Sequence, residues 1–296
     1  MSGPADRARR GGLGSWITGL SRRRQALVGS VALLVVAAIV ATVMTVTGSS
    51  QNRLNSPAGD GHGSLSHGGQ GPRHISAQSK PGPVVLVPGY GGNAGTLDQL
   101  ATQIRASGRT AIAVHLPGPG TDSLIADAAA LNTVVARAMR RGAPSVDVIG
   151  YSAGGVVALL WARRDGGAAV ARRIVTLGAP FHGTNLASAA EGLVPGECPV
   201  ACQQLIPGSR LLASLGVANP AGLPAWLSLW TTDDMVVTPP DSARLAAAVN
   251  VPVQSVCPGI SITHSQLPAN PTVTAMVLAA IGGRRLQQPS AADCRG

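Results

Sequence analysis

The sequence predicts an α/β fold in which helices cover both faces of a mostly parallel sheet. Short, wholly apolar runs such as residues 83–88 recur along the chain, as expected for parallel strands that are buried on both faces. Longer segments with helical spacing separate these runs, which is typical of βαβ units. No internal repeat interrupts the alternation, so we expect one folded domain over residues 81–286.

Each predicted element has its own signal in this domain. The strands are apolar or alternating runs, and the helices between them have an apolar stripe with turn residues at either end. Strands are expected at residues 83–88, 110–114, 146–149, 173–177, 226–230 and 251–256. Helices are expected at residues 96–107, 122–140, 153–164, 241–249 and 272–281. A tail at 287–296 follows the domain.

The N-terminal region predicts a single membrane-spanning helix. Residues 25–47 carry no charge, and at ~1.5 Å per residue a helix of this length crosses a ~30 Å hydrocarbon layer. Arginines crowd residues 1–24, whereas the first basic residue after the segment is Arg53. This asymmetry places the N-terminus in the cytoplasm and everything after residue 48 on the outer side of the cytoplasmic membrane. A cleaved signal peptide is the alternative, which would release a secreted protein, but no convincing cleavage site follows the apolar run.

The basic charge belongs mainly to the N-terminal arm. The whole chain has a formal net charge of +10, of which residues 1–80 supply +7 and residues 81–296 only +3. The folded part has no basic stripe with interleaved aromatic residues, so nucleic acid is not an expected partner. Residues 48–80 are rich in Gly, Ser and His and poor in apolar residues, which indicates a flexible linker. We expect a monomer that contacts the membrane through its N-terminal helix.

The run Gly150-Tyr151-Ser152-Ala153-Gly154 indicates a nucleophilic serine. It follows a predicted strand and opens a predicted helix, which is the context that a G-x-S-x-G nucleophile elbow requires. Glycines flank Ser152 because side chains there would collide with neighbouring backbone. The helix N-terminus behind the serine favours developing negative charge.

A serine hydroxyl needs a base and an acid, and chain order restricts both. Only His182 and His264 follow Ser152, and His264 lies between the last strand and the last helix, where the base belongs. Two carboxylates, Asp233 and Asp234, end the fifth strand, and the residues alone leave these two acids nearly tied.

An oxyanion hole is expected from two backbone N–H groups. One belongs to Ala153, directly after the serine, and the other to Tyr90 in the glycine-rich loop after the first strand. This loop has neither the G-x-G-x-x-G pattern of dinucleotide sites nor the Lys-Ser/Thr ending of a P-loop. No metal or organic cofactor is expected.

These motifs together resemble the class 2 bacterial lipases, a family of α/β-hydrolases. The resemblance lies in residues 84–92, 146–155, 175–180 and 231–237 and spans about residues 83–284, with Pro88 where the family usually has a histidine. In that family the acid immediately precedes a Met-Val-Val type run, which favours Asp234 over Asp233. Residues 186–224 are longer than in the smallest members of the family, and we expect a cap-like insertion there.

Four cysteines lie beyond the predicted membrane segment, which fits an oxidising compartment and two disulfides. Cys198 and Cys202 form the shortest possible loop, which leaves Cys257 for Cys294. Four cysteines allow three pairings, and the sequence does not choose among them. Zinc binding by Cys198 and Cys202 is a weaker alternative, because no second ligand pair lies nearby.

Three functions are compatible with these residues. The resemblance implies an extracytoplasmic lipase or esterase that forms an acyl-enzyme on Ser152 and acts on a lipid or a small ester. An extracellular acyltransferase or thioesterase would use the same residues with another acceptor or substrate. A catalytically silent, membrane-tethered binding protein is the remote alternative, since every catalytic role has a candidate in the correct chain order.

Overall fold

Six strands form one sheet in the computed structural model, which describes residues 80–219, 221–246 and 248–294. The strands are β1 (Val84–Val87), β2 (Ala111–Ala113), β3 (Val146–Tyr151), β4 (Ala171–Leu177), β5 (Ala225–Trp230) and β6 (Val249–Pro252). Their order is β2-β1-β3-β4-β5-β6, and every pairing is parallel. The predicted parallel sheet is therefore confirmed.

Helices connect the strands and cover both faces of the sheet. They are α1 (Asp98–Ala106), α2 (Leu124–Arg140), α3 (Ala153–Arg164), α4 (Gly167–Val170), α5 (Asn185–Leu193), α6 (Val200–Gln204), α7 (Arg210–Ala213), α8 (Val253–Val256) and α9 (Pro271–Gly282). Short 3₁₀ turns occur at Ala94–Leu97, Pro240–Ala243, His264–Gln266 and Ala291–Cys294. Side-chain caps define the long helices: Ser123 accepts a hydrogen bond at the start of α2, and Asn270 accepts two at the start of α9.

The buried apolar residues form two clusters, one on each face of the sheet. Alternate residues of β1 divide between them: Val85 and Val87 join the cluster under α2 and α3, whereas Val84 and Leu86 join the cluster under α1 and α9. This division follows from the two-residue period of a strand. It also explains why the strands read as continuous apolar runs in the sequence.

The chain reverses its direction across the sheet at β1. From β1 it crosses first to β2 on one side and then to β3 on the other, after which β4, β5 and β6 follow in order. The carboxyl ends of β1 and β3 thus border the point where connections diverge. In open parallel sheets this crevice is the usual place for a binding site.

Two of the predicted elements differ from the structure. The helix expected at residues 241–249 is a 3₁₀ turn, Pro240–Ala243, followed by a loop that begins with Arg244 in an extended conformation. Asn250 holds this loop, because its side-chain oxygen accepts from Leu245 N–H at 3.0 Å and its nitrogen donates to Leu245 and Ala248 carbonyls at 2.9 Å. The last strand is also earlier than predicted, since β6 pairs with β5 from Val249 and the helix α8 replaces its expected second half.

The insertion at residues 186–224 contributes to the core as well as to the surface. Leu211, Leu212 and Leu215 belong to the buried cluster under α2 and α3. Gln204 ties the insertion to α2, because its Oε1 accepts from Leu124 N–H at 2.8 Å. By contrast, α5 buries only Ala187.

Two disulfides are present, Cys198–Cys202 within the insertion and Cys257–Cys294 between α8 and the C-terminal segment. These are the two pairs that the spacing favoured. A pair of bonded cysteines has no thiolate to offer a metal, so zinc binding by Cys198 and Cys202 is excluded in this form.

The predicted membrane segment at residues 25–47 and nearly all of the linker lie outside the described residues. Within the described ranges, no helix has the length and apolar character needed to cross a bilayer.

Candidate active site

Ser152 occupies the turn between β3 and α3, in a backbone conformation that residues other than glycine rarely adopt. Its φ of 53° and ψ of −127° make it the one residue other than glycine with positive φ in the part of the chain that the structure describes. A hydrogen bond of 2.8 Å from Ser152 N–H to the Leu177 carbonyl holds the turn against the end of β4. Such strain is maintained by its surroundings and is concentrated at functional sites.

Three glycines make this turn possible because each faces a close neighbour. A Cβ on Gly150 would lie 2.5 Å from the Gly154 carbonyl oxygen, and one on Gly154 would lie 2.4 Å from the carbonyl oxygens of Val87 and Pro88. A Cβ on Gly155 would lie 2.4 Å from that of Ala179. The serine turn is thus packed directly against the ends of β1 and β4.

Asp234 and His264 form a buried pair at the same edge of the sheet. His264 Nδ1 lies 2.6 Å from Asp234 Oδ2, and the two residues are 5% and 2% exposed. Asp234 Oδ1 accepts from the backbone N–H groups of Val236 at 2.9 Å and Val237 at 2.7 Å. Because an ionised carboxylate only accepts hydrogen bonds, we assign the proton of the neutral imidazole to Nδ1, which donates it to Asp234. The other ring nitrogen, Nε2, is then an acceptor.

Tyr151 and Gly178 pack around the imidazole. The Tyr151 ring centroid lies 5.2 Å from that of His264, and the Tyr151 hydroxyl donates to the His264 carbonyl at 3.3 Å. Burial, and secondarily the charge of Asp234, raises the pKa of Tyr151, which keeps the hydroxyl a donor. A Cβ on Gly178 would come within 3.1 Å of the His264 ring, so only glycine leaves room for the imidazole there.

Ser152 and His264 both adjoin the end of β4, Ser152 through Leu177 and His264 through Gly178. No hydrogen bond joins the Ser152 hydroxyl to the His264 ring among the residues described. Such bonds are often long in the absence of substrate and shorten when it binds. The structure therefore pairs Asp234 with His264 and brings Ser152 to the same edge of the sheet.

The loop after β1 passes beside the serine. A Cβ on Gly89 would lie 3.0 Å from Ser152 Cβ, and the Tyr90 N–H makes no hydrogen bond within the described part of the chain. Ala153 is the first residue of α3, where backbone N–H groups lack partners within the helix. The two N–H groups that the sequence indicated for an oxyanion hole thus lie on elements that meet at Ser152.

Gly120, at the end of the run Leu116-Pro117-Gly118-Pro119-Gly120 that follows β2, supports that loop. Its carbonyl accepts from Gly91 N–H at 3.1 Å, and a Cβ on Gly120 would lie 2.6 Å from Gly92 N. The position of this Gly- and Pro-rich run directly after a strand is a signal for a turn near the site. Because Gly120 has no side chain, the backbone of its loop can contact the backbone of the loop after β1 directly.

Asp233, the alternative acid, does not contact His264. Its exposed carboxylate accepts instead from Ser261 Oγ at 3.1 Å and from Ile262 N–H at 3.3 Å. The other later histidine, His182, is exposed and its Nε2 lies 3.1 Å from the Arg244 carbonyl. Within the described ranges, no three Asp, Glu, His or Cys side chains are grouped as metal ligands.

Comparison with known proteins supports this description of the fold. No model of a known protein family matches the chain, and no curated protein is significantly similar to it. Among solved structures, lipase B from Aspergillus fumigatus is similar with 19% identity, covering 72% of this chain and 56% of its own, at a TM-score of 0.58. Bacillus licheniformis lipase BlEst2 in its propeptide form is similar with 17% identity. The match covers 71% of this chain and 51% of that lipase, at a TM-score of 0.56.

This chain therefore spans about half the length of these two lipases. At such identities the likeness establishes the fold and nothing finer. The fold of the described chain is that of the α/β-hydrolases.

Proposed function

We propose that the protein is a carboxylic ester hydrolase that acts through Ser152, His264 and Asp234. The observation that carries the proposal is the buried 2.6 Å contact between His264 Nδ1 and Asp234 Oδ2 at the sheet edge where Ser152 occupies its strained turn. A buried acid that fixes the imidazole tautomer is what a serine nucleophile needs from its base. The lipase-like fold agrees with this chemistry.

The reaction follows from the roles of these three groups. His264 Nε2 takes the proton of the Ser152 hydroxyl while the serine oxygen attacks the ester carbonyl. Asp234 stabilises the imidazolium, which then gives its proton to the departing alcohol. Water, activated by the same imidazole, attacks the acyl-enzyme and releases the acid and the free serine.

The N–H groups of Tyr90 and Ala153 receive the negative charge that develops on the carbonyl oxygen. They belong to rigid backbone, because glycines pack the loop of Tyr90 against its neighbours and Ala153 begins a helix. Donors held in place in this way stabilise the transition state without reorganisation, and one such donor is worth about 10²-fold or more in rate.

Apolar surface beside the acid supports a lipid or other apolar ester as substrate. Met235 and Val236, which directly follow Asp234, are 82% and 39% exposed. Leu186 is 51% exposed, and Thr184, two residues before it, donates its hydroxyl to the Val236 carbonyl at 2.6 Å. Together with the apolar, arginine-flanked segment at residues 25–47, this favours action at the outer side of the membrane.

Turnover of nitrophenyl esters of increasing chain length by the full-length protein tests the proposal. We expect Ser152→Ala to abolish the release of nitrophenol and Asp234→Asn to lower kcat by about 10⁴-fold. Asp165→Asn, which neutralises an exposed carboxylate at the end of α3, is the matched control and is expected to match wild type. Full activity in Ser152→Ala would refute the proposal, and transfer of the acyl group to an added alcohol in place of water would identify an acyltransferase.

A further inference from the structure

Asp233 lies next to the proposed acid, yet its carboxylate contacts the loop that carries the proposed base. Asp233 Oδ2 accepts from Ser261 Oγ at 3.1 Å, from Ile262 N–H at 3.3 Å and from Gln254 Nε2 at 3.4 Å. Ser261 and Ile262 directly precede the segment of His264. The Asp233 side chain therefore joins the loop of the acid to the loop of the base.

Thr231 makes a second link between the same two loops. Its hydroxyl donates to the Ile262 carbonyl at 2.6 Å and accepts from Asp233 N–H at 3.1 Å and from Gln254 Nε2 at 2.7 Å. Thr231 and Ile262 are both fully buried. Both backbone groups of Ile262 are thus bonded to the segment that carries Asp234.

The stretch from Ile262 to His264 has little freedom to move independently. Thr263 starts the 3₁₀ turn His264–Gln266, and its N–H donates to Gln266 Oε1 at 2.8 Å in a capping box. A displacement of Ile262 is therefore passed on to the imidazole. His264, whose Nδ1 lies 2.6 Å from Asp234 Oδ2, is only two residues beyond Ile262.

We propose that Asp233 is a positioning residue that holds Ile262, and through it His264, at bonding distance from Asp234. This inference rests on the proposed function, in which His264 is the base. Removal of the carboxylate leaves Ile262 N–H and Ser261 Oγ without their acceptor, so Ile262 is then bonded to the acid loop only through the Thr231 hydroxyl. Misplacement of a catalytic group by about 1 Å costs up to ~10²-fold in rate.

Kinetics and NMR of the full-length protein test the inference. We expect Asp233→Ala to lower kcat about tenfold without a change in KM, because the base is displaced and the substrate is not contacted. Asp233→Asn retains an oxygen that accepts from Ile262 N–H and is expected to restore most of kcat. Asp165→Ala, which removes an exposed carboxylate from another loop, is the matched control and should match wild type.

The His264 Nδ1 proton provides a readout that does not depend on turnover. A proton in so short a hydrogen bond to a carboxylate resonates far downfield, and we expect its signal to be broadened or lost in Asp233→Ala and retained in Asp233→Asn. Should the wild type turn over no ester, the proposed function fails, whereas this signal still tests the positioning. Retention of the signal and of kcat in Asp233→Ala overturns the inference, as does an equal loss in Asp165→Ala.

A folding defect in Asp233→Ala is recognised by circular dichroism, and Ser261→Ala then replaces it. This change removes one of the donors to Asp233 and leaves the carboxylate in place. We expect a two- to threefold lower kcat with KM unchanged, in the range of about 0.5 kcal/mol for a weakened neutral hydrogen bond. Wild-type kcat in a folded Ser261→Ala, with an unchanged downfield signal, overturns the inference.

Discussion

Gly154→Ala is the substitution whose effect can be worked out most directly from the structure. The added Cβ would lie 2.4 Å from the carbonyl oxygens of Val87 and Pro88, whereas ordinary van der Waals contact begins at 3.4 Å. Neither oxygen belongs to a flexible side chain, so α3 must move away from the end of β1 by about 1 Å. That movement separates the N–H of Ala153 from the loop of Tyr90, the two proposed oxyanion donors.

We expect Gly154→Ala to cost about 1–3 kcal/mol in the free energy of unfolding, as overpacking does, and to lower kcat by about 10²-fold. Urea unfolding followed by circular dichroism measures the first effect, and ester turnover the second. Gly192→Ala is the matched control, because Gly192 lies in α5 with open space where its Cβ would be. There the helix propensity of alanine should raise stability by up to about 1 kcal/mol. A Gly154→Ala protein as stable and active as Gly192→Ala would refute the packing argument.

Two further predictions concern stability. Burial raises the pKa of Asp127 to about 6, so its carboxyl favours the folded state below about pH 4, and that contribution is lost as pH rises through 6. The rise from 3.8 to about 6 is worth up to about 3 kcal/mol at ~1.36 kcal/mol per pKa unit. Asp127→Asn should therefore stabilise the protein by up to about 3 kcal/mol at pH 8 and by almost nothing at pH 4 in urea unfolding, and an equal effect at both values would contradict the assignment. The disulfide Cys257–Cys294 spans 37 residues and Cys198–Cys202 only 4, so replacing the first pair by alanine should cost about 2–4 kcal/mol and the second pair less. The reverse order, measured by thermal unfolding, would show that chain entropy is not what these bonds supply.

The elements that carry the site could be predicted because their signals are local. The apolar runs of β1 and β3 and the glycines around Ser152 are properties of consecutive residues, and the structure has them where the sequence placed them. Chain order is what pointed to His264 as the candidate base. It lies beside Asp234, 30 positions earlier, only because the sheet brings the two loops together.

Contacts between loops distant in sequence escaped prediction. Asp233 and Asp234 are chemically identical neighbours, and what distinguishes them is the direction of each carboxylate, one towards Ile262 and the other towards His264. The helix expected at residues 241–249 failed for a related reason. Its alanines have high helix propensity, but the Asn250 side chain and the pairing of β6 outweigh that preference.

Covalent labelling of Ser152 tests the central claim most directly. An alkyl nitrophenyl phosphonate reacts with an activated serine, releases nitrophenol and leaves a stable phosphonyl ester in place of the acyl-enzyme. We predict one label per chain, mapped by mass spectrometry to the peptide of Ser152, with none in Ser152→Ala and much slower labelling in Asp234→Asn. Labelling at another residue, or ester hydrolysis that persists in Ser152→Ala, would contradict the assignment of Ser152 as the nucleophile.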